Sequence, residues 1–442
     1  MRATNRSLVV VLAAAALAAG CVSGDKLDST LAPSAATPLL ARYVAMGNSI
    51  TAGIQSGGIN DSTQRRTYPV LLARMAGVPF TFRSFGLGCT ALYTAPLNAN
   101  GKLTATIPGG CDLSAGFPGL VQNVAVPGEN VADLTATGAQ SGLGPFQNGA
   151  GPLNLFILGG LNEVQAMQAV QPTFVSLWAP NNDILFAVNA GDTTLAPTAA
   201  TYLAAFNAAA AAVKAVPTLR GAALIGIVDV PRFAPILQPG AFFFAAYTAN
   251  PLQFGGKPVD VSCAPFNQLG QANAFAGNLV SFHVVADPRV TSIKCTPDAP
   301  YVTTTSTAGA AGGNPEINTF ETRIAQINAG IKATADANGW VYVDPNTFAD
   351  QGGVSVLANP SLVKKFQGLA TAATLAQFQQ AVATTCPGDP ANYFGTLVSL
   401  DATHPSTAFH QALASYLAAQ INAKYQTTIT TTAPASGTVL AR

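Results

Sequence analysis

Short apolar runs alternate along this chain with stretches of helical composition, and no other feature constrains the fold as strongly. The apolar runs cover residues 42–46, 123–126, 173–178, 222–228 and 340–343. The helical stretches include residues 69–75, 199–216 and 317–338. Strands that alternate with helices favour a parallel sheet covered on both faces and joined by right-handed crossovers. The sequence therefore predicts a three-layer α/β/α fold.

Three long segments rich in Gly, Pro, Asn or Thr interrupt this alternation. We interpret them as insertions near 86–120, 231–314 and 344–390. The second contains the aromatic run Ala241–Tyr247, which indicates either a lid or apolar substrate wall, or simple packing of the insertion onto the core. The predicted organisation of the whole chain is then a leader at 1–20, a tether at 21–40, one folded domain at 41–426 and a Thr-rich tail at 427–442.

The charge of the chain limits its partners. Only 9% of the 442 residues are charged, the formal net charge is +1, and lysine and arginine form no cluster. A nucleic-acid partner is not expected, because neutralising phosphates requires a basic face. A surface whose polar groups are mainly uncharged is more typical of a secreted or surface-displayed protein.

The N-terminus predicts export. Two arginines precede residues 7–19, which are almost wholly apolar but too few to span a bilayer. The following Leu17-Ala18-Ala19-Gly20-Cys21 resembles the lipobox of bacterial lipoproteins, although Ala18 stands where that pattern prefers Leu. The resemblance implies lipidation of Cys21, a membrane-anchored protein and a location in the cell envelope, as an outer-membrane lipoprotein facing either side. The alternative is an ordinary signal peptide and a secreted protein.

The six cysteines leave an odd number if Cys21 is lipidated. The simplest pairs join sequence neighbours, Cys89 with Cys111 and Cys263 with Cys295, and leave Cys386, which we interpret as structural. No Cys or His spacing is typical of zinc, so no metal is expected.

Histidine is the commonest general base at neutral pH, and this chain has three candidates. Only His404 follows an aspartate, Asp401, at a spacing of three residues, on a tight loop before a helical stretch. A carboxylate at this spacing can turn back onto one ring nitrogen while the other points outward, as a Ser-His-Asp system requires. His404 is therefore the candidate base and Asp401 its orienting group. We interpret His283 and His410 as structural.

Ser49 is the candidate nucleophile. It follows the first apolar run and a glycine, and small residues come after it. A serine just beyond the carboxyl end of a parallel strand lies at the edge where such sheets bind ligands. The alternative is that Ser49 only caps a helix.

Four sequence blocks together resemble the SGNH/GDSL hydrolase family. In family order, they are Gly47-Asn48-Ser49, Gly128 after the second apolar run, Asn182 in Pro180-Asn181-Asn182-Asp183, and Asp401 to His404 followed by Pro405. The blocks span the core and not the insertions. Two departures are Asn48, where the family has Asp, and Pro180, where it has Gly.

The resemblance implies a flavodoxin-like sheet of about five parallel strands and an ester hydrolase. It assigns Ser49, Asp401 and His404 to catalysis, and an oxyanion hole to the backbone N–H groups of Ser49 and Gly128 with the side-chain amide of Asn182. It also implies that no cofactor is needed and that substrates are ester-bearing small molecules, lipids or glycans. We interpret Asp183 as a structural residue of its loop. Two alternatives remain, an acyltransferase on the same triad and an inactive lipid-anchored binding protein.

Overall fold

The computed structural model describes residues 38–86, 88–89, 92, 119–136, 150–233, 236–252, 254–266, 271–346 and 397–432. The leader with Cys21, most of the first and third insertions, Cys111, Cys386 and the end of the tail lie outside the described residues.

The described part contains short strands and helices of four to 23 residues. The strands are β1 (Tyr43–Met46), β2 (Phe174–Trp178), β3 (Gly221–Ile225), β4 (Leu237–Pro239), β5 (Leu279–Ser281), β6 (Val302–Thr303) and β7 (Val341–Val343). The α-helices are α1 (Ser49–Ala52), α2 (Asp61–Gln64), α3 (Tyr68–Met75), α4 (Ala150–Leu158), α5 (Glu163–Val170), α6 (Asn182–Ala190), α7 (Ala199–Lys214), α8 (Val230–Phe233), α9 (Gly240–Ala249), α10 (His283–Ala286), α11 (Glu316–Asn338) and α12 (Thr407–Tyr425). Single 3₁₀ turns lie at Val131–Leu134, Thr193–Leu195, Val261–Cys263 and Ala311–Gly313.

The central sheet is parallel and has the strand order β1-β2-β3-β7. The run at 123–126 lies on the outer side of β1 but forms only one bridge, between Asn123 and Ala45. Pairing stops there because the N–H of Val126 donates to the Glu163 carboxylate rather than to a strand. The expected α/β fold is confirmed, with four paired strands in place of about five. The single bridge completes the order of a flavodoxin-like sheet.

Helices cover both faces of the sheet. One face carries side chains such as Val44, Val175 and Leu224, which pack against α5, α7 and α11. The other face carries Tyr43 and Trp178 together with their neighbours, which pack against α3 and α12. Each strand contributes to both cores because successive side chains point to opposite faces. Strands buried on both sides explain why the sequence shows continuous apolar runs and no alternation.

The second insertion folds as a separate small sheet with antiparallel order β4-β5-β6. A disulfide joins Cys263 to Cys295, which confirms that predicted pair. Cys89 is also disulfide-bonded, and its predicted partner lies outside the described residues. In α9, the fully buried Phe243 packs against Phe254 and Phe282 of the same insertion. Phe243 of the aromatic run thus serves to pack the insertion.

No helix in the described ranges is long and apolar enough to cross a membrane.

Candidate active site

Ser49 is presented by a sharp turn at the end of β1. Gly47 has φ 148°, and a Cβ there would lie 2.5 Å from the side-chain oxygen of Thr51, so the turn requires glycine. Asn48 is the N-cap of α1, and its side chain accepts from the N–H of Ile50. The capping role expected as the alternative for Ser49 is therefore filled by Asn48. The Ser49 hydroxyl is left available, at the first position of the helix.

The loop of residues 397–406, called here the His404 loop, brings the base to this hydroxyl. The Nε2 atom of His404 lies 3.0 Å from Oγ of Ser49, and its Nδ1 atom lies 2.8 Å from Oδ2 of Asp401. The three side chains form one continuous hydrogen-bonded chain. With Nδ1 protonated towards the carboxylate, Nε2 is the nitrogen that can take the serine proton.

Asp401 is held in place by the backbone. Its Oδ1 atom accepts from the N–H groups of Thr403 and His404 at 2.9 and 2.8 Å, and its Oδ2 atom accepts from Gly57 at 2.6 Å. Burial favours the neutral acid, but the charge of His404 and these hydrogen bonds outweigh it and lower the pKa of Asp401 to about 2. The carboxylate is thus ionised at neutral pH and can stabilise an imidazolium.

Gly128 lies in another loop of the site, residues 126–129. It is called here the Gly128 loop, and Gly128 adopts φ 88°, a left-handed conformation that favours glycine. The side-chain amide of Asn182 donates to the carbonyl of Glu129 at 2.9 Å. That bond uses one amide hydrogen, and within the described ranges the other has no acceptor. The structure thus brings Asn182 to the loop that contains Gly128.

The neighbours of Asn182 have separate tasks. The Asn181 side chain accepts from the N–H of Val228 at 2.6 Å, three residues beyond the end of β3, which distinguishes it from Asn182. Pro180 lacks an N–H, and its carbonyl accepts from the buried Tyr202 hydroxyl at 2.7 Å. Asp183 accepts from the N–H of Val131 at 2.8 Å, in the segment after the Gly128 loop, and from its own backbone N–H. Burial raises the pKa of Asp183 to about 7.

The other two histidines take no part in this chain of hydrogen bonds. His410 is fully buried, its Nδ1 atom accepts from the N–H of Tyr68 at 3.3 Å, and burial lowers its pKa to about 3. Burial lowers the pKa of His283, in the second insertion, to about 4. Both stay neutral at ordinary pH, as a structural role requires.

Sequence reasoning missed several residues that hold the site. Glu163 is fully buried and binds both the Gly47 turn and the Gly128 loop. Ser56 and Gly57 hold the His404 loop through Ser399 and Asp401. The only sequence feature that could have indicated Glu163 is the scarcity of carboxylates in this chain. A glutamate in the first turn of a helix, after an N-cap asparagine, is nevertheless an ordinary structural choice. In the described part of the chain, no group of three or more His, Cys, Asp or Glu residues could hold a metal ion.

Comparisons with known proteins gave matches only among solved structures. No family model matches the chain, and no curated protein does. The chain is similar to a phospholipase A1 from Streptomyces albidoflavus NA297, with a TM-score of 0.27, 13% identity, and coverage of 86% of this chain and 99% of that one. It is also similar to an extracellular lipase from Streptomyces rimosus, with a TM-score of 0.27, 12% identity, and coverage of 86% and 98%. The function of this chain must therefore be inferred from the geometry of its own residues.

Proposed function

We propose that this protein is a serine ester hydrolase of the SGNH/GDSL type. The observation that carries the proposal is the hydrogen-bonded chain from Ser49 through His404 to Asp401, with distances of 3.0 and 2.8 Å. These residues come from opposite ends of the sequence. A serine and a histidine in this relation, with a buried ionised carboxylate behind the ring, are suited to nucleophilic acyl chemistry.

The reaction begins when the Ser49 hydroxyl attacks the carbonyl carbon of an ester while His404 takes its proton. The tetrahedral intermediate carries a negative oxygen, which the N–H groups of Ser49 and Gly128 and the amide of Asn182 would stabilise. Each such donor contributes about 3–4 kcal/mol to the transition state. His404 then protonates the departing alcohol, and an acyl-enzyme on Ser49 remains. Water, deprotonated by His404, releases the carboxylic acid.

The order of the sequence blocks supports the family assignment. Gly47 follows β1, Gly128 follows the run at 123–126, and Asn182 follows β2. The Asp401–His404 pair comes last in the sequence. The carboxyl ends of parallel strands share one edge of the sheet, where ligands bind. The proposed substrates are esters of small molecules, lipids or glycans.

Export and anchoring belong to the same proposal. We infer that residues 1–20 direct export and that Cys21 carries a lipid that holds the protein at the bacterial cell envelope. Lipid attachment would add about 0.8 kcal/mol of membrane affinity per buried methylene. Incorporation of labelled palmitate into wild type but not into Cys21→Ala tests this part separately. Equal labelling of the two proteins would contradict it.

The decisive experiment combines active-site labelling with product analysis. A serine-directed fluorophosphonate should label wild type and should fail to label Ser49→Ala, while Ser292→Ala, a control in the second insertion, labels normally. A panel of esters with varied acyl and alcohol parts should yield free carboxylic acid with wild type alone. Labelling of Ser49→Ala at the wild-type rate would contradict the proposal. Transfer of the acyl group to an added alcohol in place of water would identify an acyltransferase.

A further inference from the structure

One buried carboxyl group ties together the two loops that would supply the backbone donors of the oxyanion hole. The Oε2 atom of Glu163 accepts from the N–H of Gly47 at 2.9 Å, and its Oε1 atom accepts from the N–H of Val126 at 3.1 Å. Gly47 lies two residues before Ser49, and Val126 lies two residues before Gly128. Glu163 is fully buried, so no water competes for these bonds.

A second carboxyl group adjoins the first. Glu129 follows Gly128 directly, is 1% exposed, and hydrogen-bonds through its carboxyl group to that of Glu163. Its Oε1 atom also accepts from the amide of Asn154 at 3.4 Å. Its Oε2 atom is buried and receives no N–H or hydroxyl hydrogen from any described residue. A hydrogen bond between two carboxyl groups requires a proton on one of them.

The surroundings of the pair favour keeping that proton. Burial is the main cause that raises the pKa of Glu129 to about 8, and burial followed by the charge of Glu129 raises the pKa of Glu163 well above its usual range. Among the described residues, the titratable groups found to act on the pair are acidic. Asp133 raises the pKa of Glu129, and Tyr68, whose hydroxyl is neutral at ordinary pH, faces Glu163.

We propose that Glu129 and Glu163 act as a carboxyl pair sharing one proton, and that this pair positions the oxyanion hole. The proposal rests on the proposed esterase function, which requires the N–H groups of Ser49 and Gly128 to point at one oxygen. Donors fixed before the reaction stabilise the transition state without a cost of reorganisation. Both glutamates are positioning residues, because they act through the backbone and not on the substrate.

Loss of the shared proton would disturb this arrangement. Above the pKa of the pair, two ionised carboxylates would lie in contact in a buried site, where their repulsion is strong. We expect the Gly128 loop to move away from the Gly47 turn. Transition-state stabilisation should then fall while the ground-state binding of the ester changes less, so kcat decreases more than KM changes.

Three variants separate these effects. Glu129→Gln keeps an acceptor for Asn154 and supplies a permanent N–H donor towards Glu163, so it imitates the protonated pair. Glu163→Gln replaces one acceptor oxygen by an NH₂ group, which must face a backbone N–H. Glu316→Gln is the matched control, because Glu316 is also the first residue of its helix and accepts from a backbone N–H, that of Thr304, at 2.9 Å.

The test is the pH dependence of kcat and KM between pH 5 and about 10 on a p-nitrophenyl ester, with thermal unfolding followed over the same range. We expect kcat of wild type and Glu316→Gln to fall at alkaline pH, where the pair loses its shared proton, and kcat of Glu129→Gln to stay level over the same range. Glu163→Gln should lose about tenfold or more in kcat at pH 7 with a smaller change in KM, in line with the loss of an oxyanion donor.

Several outcomes would overturn the proposal. An alkaline decrease in Glu129→Gln equal to that of wild type would do so, as would a folded Glu163→Gln with wild-type kcat. If Glu163→Gln does not fold, the profile of Glu129→Gln alone decides. Failure of the proposed function is recognised separately, because wild type would then neither hydrolyse esters nor react at Ser49. In that case the melting temperature still tests the proton pair: it should decline from pH 5 to 8 more steeply in wild type than in Glu129→Gln.

Discussion

The backbone N–H of Ile236, at the start of the insertion sheet, donates a hydrogen bond of 2.9 Å to the carbonyl of Ala402. Ala402 lies between Asp401 and His404 and is fully buried. The carbonyl of Ile236 in turn accepts from the N–H of Phe282, the residue directly after the neighbouring strand β5. The second insertion is therefore bonded directly to the loop that carries the candidate base.

This bond predicts that damage to the insertion reaches the active site. Phe243→Ala removes a fully buried ring from the packing between Phe254 and Phe282, and should destabilise the protein by about 3–5 kcal/mol. We expect a lower kcat as well, since Ile236 loses its support. Leu252→Ala, at a side chain that is 76% exposed in the same insertion, should change stability by less than about 0.5 kcal/mol. Urea denaturation and ester kinetics measure both effects, and equal behaviour of the two variants would contradict the coupling.

The backbone at Ala402 gives a second prediction. Its φ of 61° is left-handed, a conformation that costs a non-glycine residue about 1–2 kcal/mol. Ala402→Gly relieves this strain but adds backbone entropy to the unfolded chain, so its free energy of unfolding should stay within about 1 kcal/mol of wild type. Ala402→Val adds a β-branched side chain in a buried left-handed position and should lower both stability and kcat. A valine variant as stable as the glycine variant would show that the loop adopts another conformation.

Asp401 should control activity and acid stability together. Asp401→Asn keeps the size of the side chain but removes the charge that orients His404, and we expect kcat to fall by about 10³–10⁴. In wild type, the folded pKa of about 2 lies below the unfolded value near 3.8, so Asp401 stabilises the fold above about pH 4. That contribution, about 2 kcal/mol, should disappear as the pH falls from about 5 to 2. Denaturant midpoints at pH 3 and 6 should therefore differ less in Asp401→Asn than in wild type.

Asp183 should show the opposite pH dependence. Burial raises its folded pKa to about 7, so on raising the pH the unfolded state loses its proton before the folded state does. The stability contributed by this group therefore declines between about pH 4 and pH 7. Asp183→Asn imitates the protonated acid and still offers an oxygen to the N–H of Val131. We expect the variant to match wild type at pH 4 and to exceed it in melting temperature at pH 8; a lower melting temperature at both values would count against this assignment.

Much of the architecture could be predicted because its causes are local. The apolar runs predicted β1, β2, β3 and β7 to within a few residues, and the helix expected at 317–338 is Glu316–Asn338. The run at 123–126 was the exception, because a side chain distant in sequence takes the hydrogen bond that a fifth strand would use. Apolar periodicity records burial, but it does not record competition for a backbone N–H.

The candidate site divides in the same way. Ser49, Gly128, Asn182 and the Asp401–His404 pair could be named from sequence, because each follows a strand-like run and needs a particular residue type there. The contacts of Glu163 and Ile236 could not, because each joins segments more than 35 residues apart, and neither has a distinctive neighbour pattern.

The sequence by itself thus determined which chemical groups stand at the edge of the sheet, since side-chain type and strand order are written along the chain. Tertiary structure alone decided how those groups meet: Asn48 and not Ser49 caps the helix, the insertion holds Ala402, and the buried carboxyl group of Glu163 joins the Gly47 turn to the Gly128 loop. The physical reason is that a hydrogen bond between distant segments depends on the packing of the whole fold, whereas the groups that form it are fixed residue by residue.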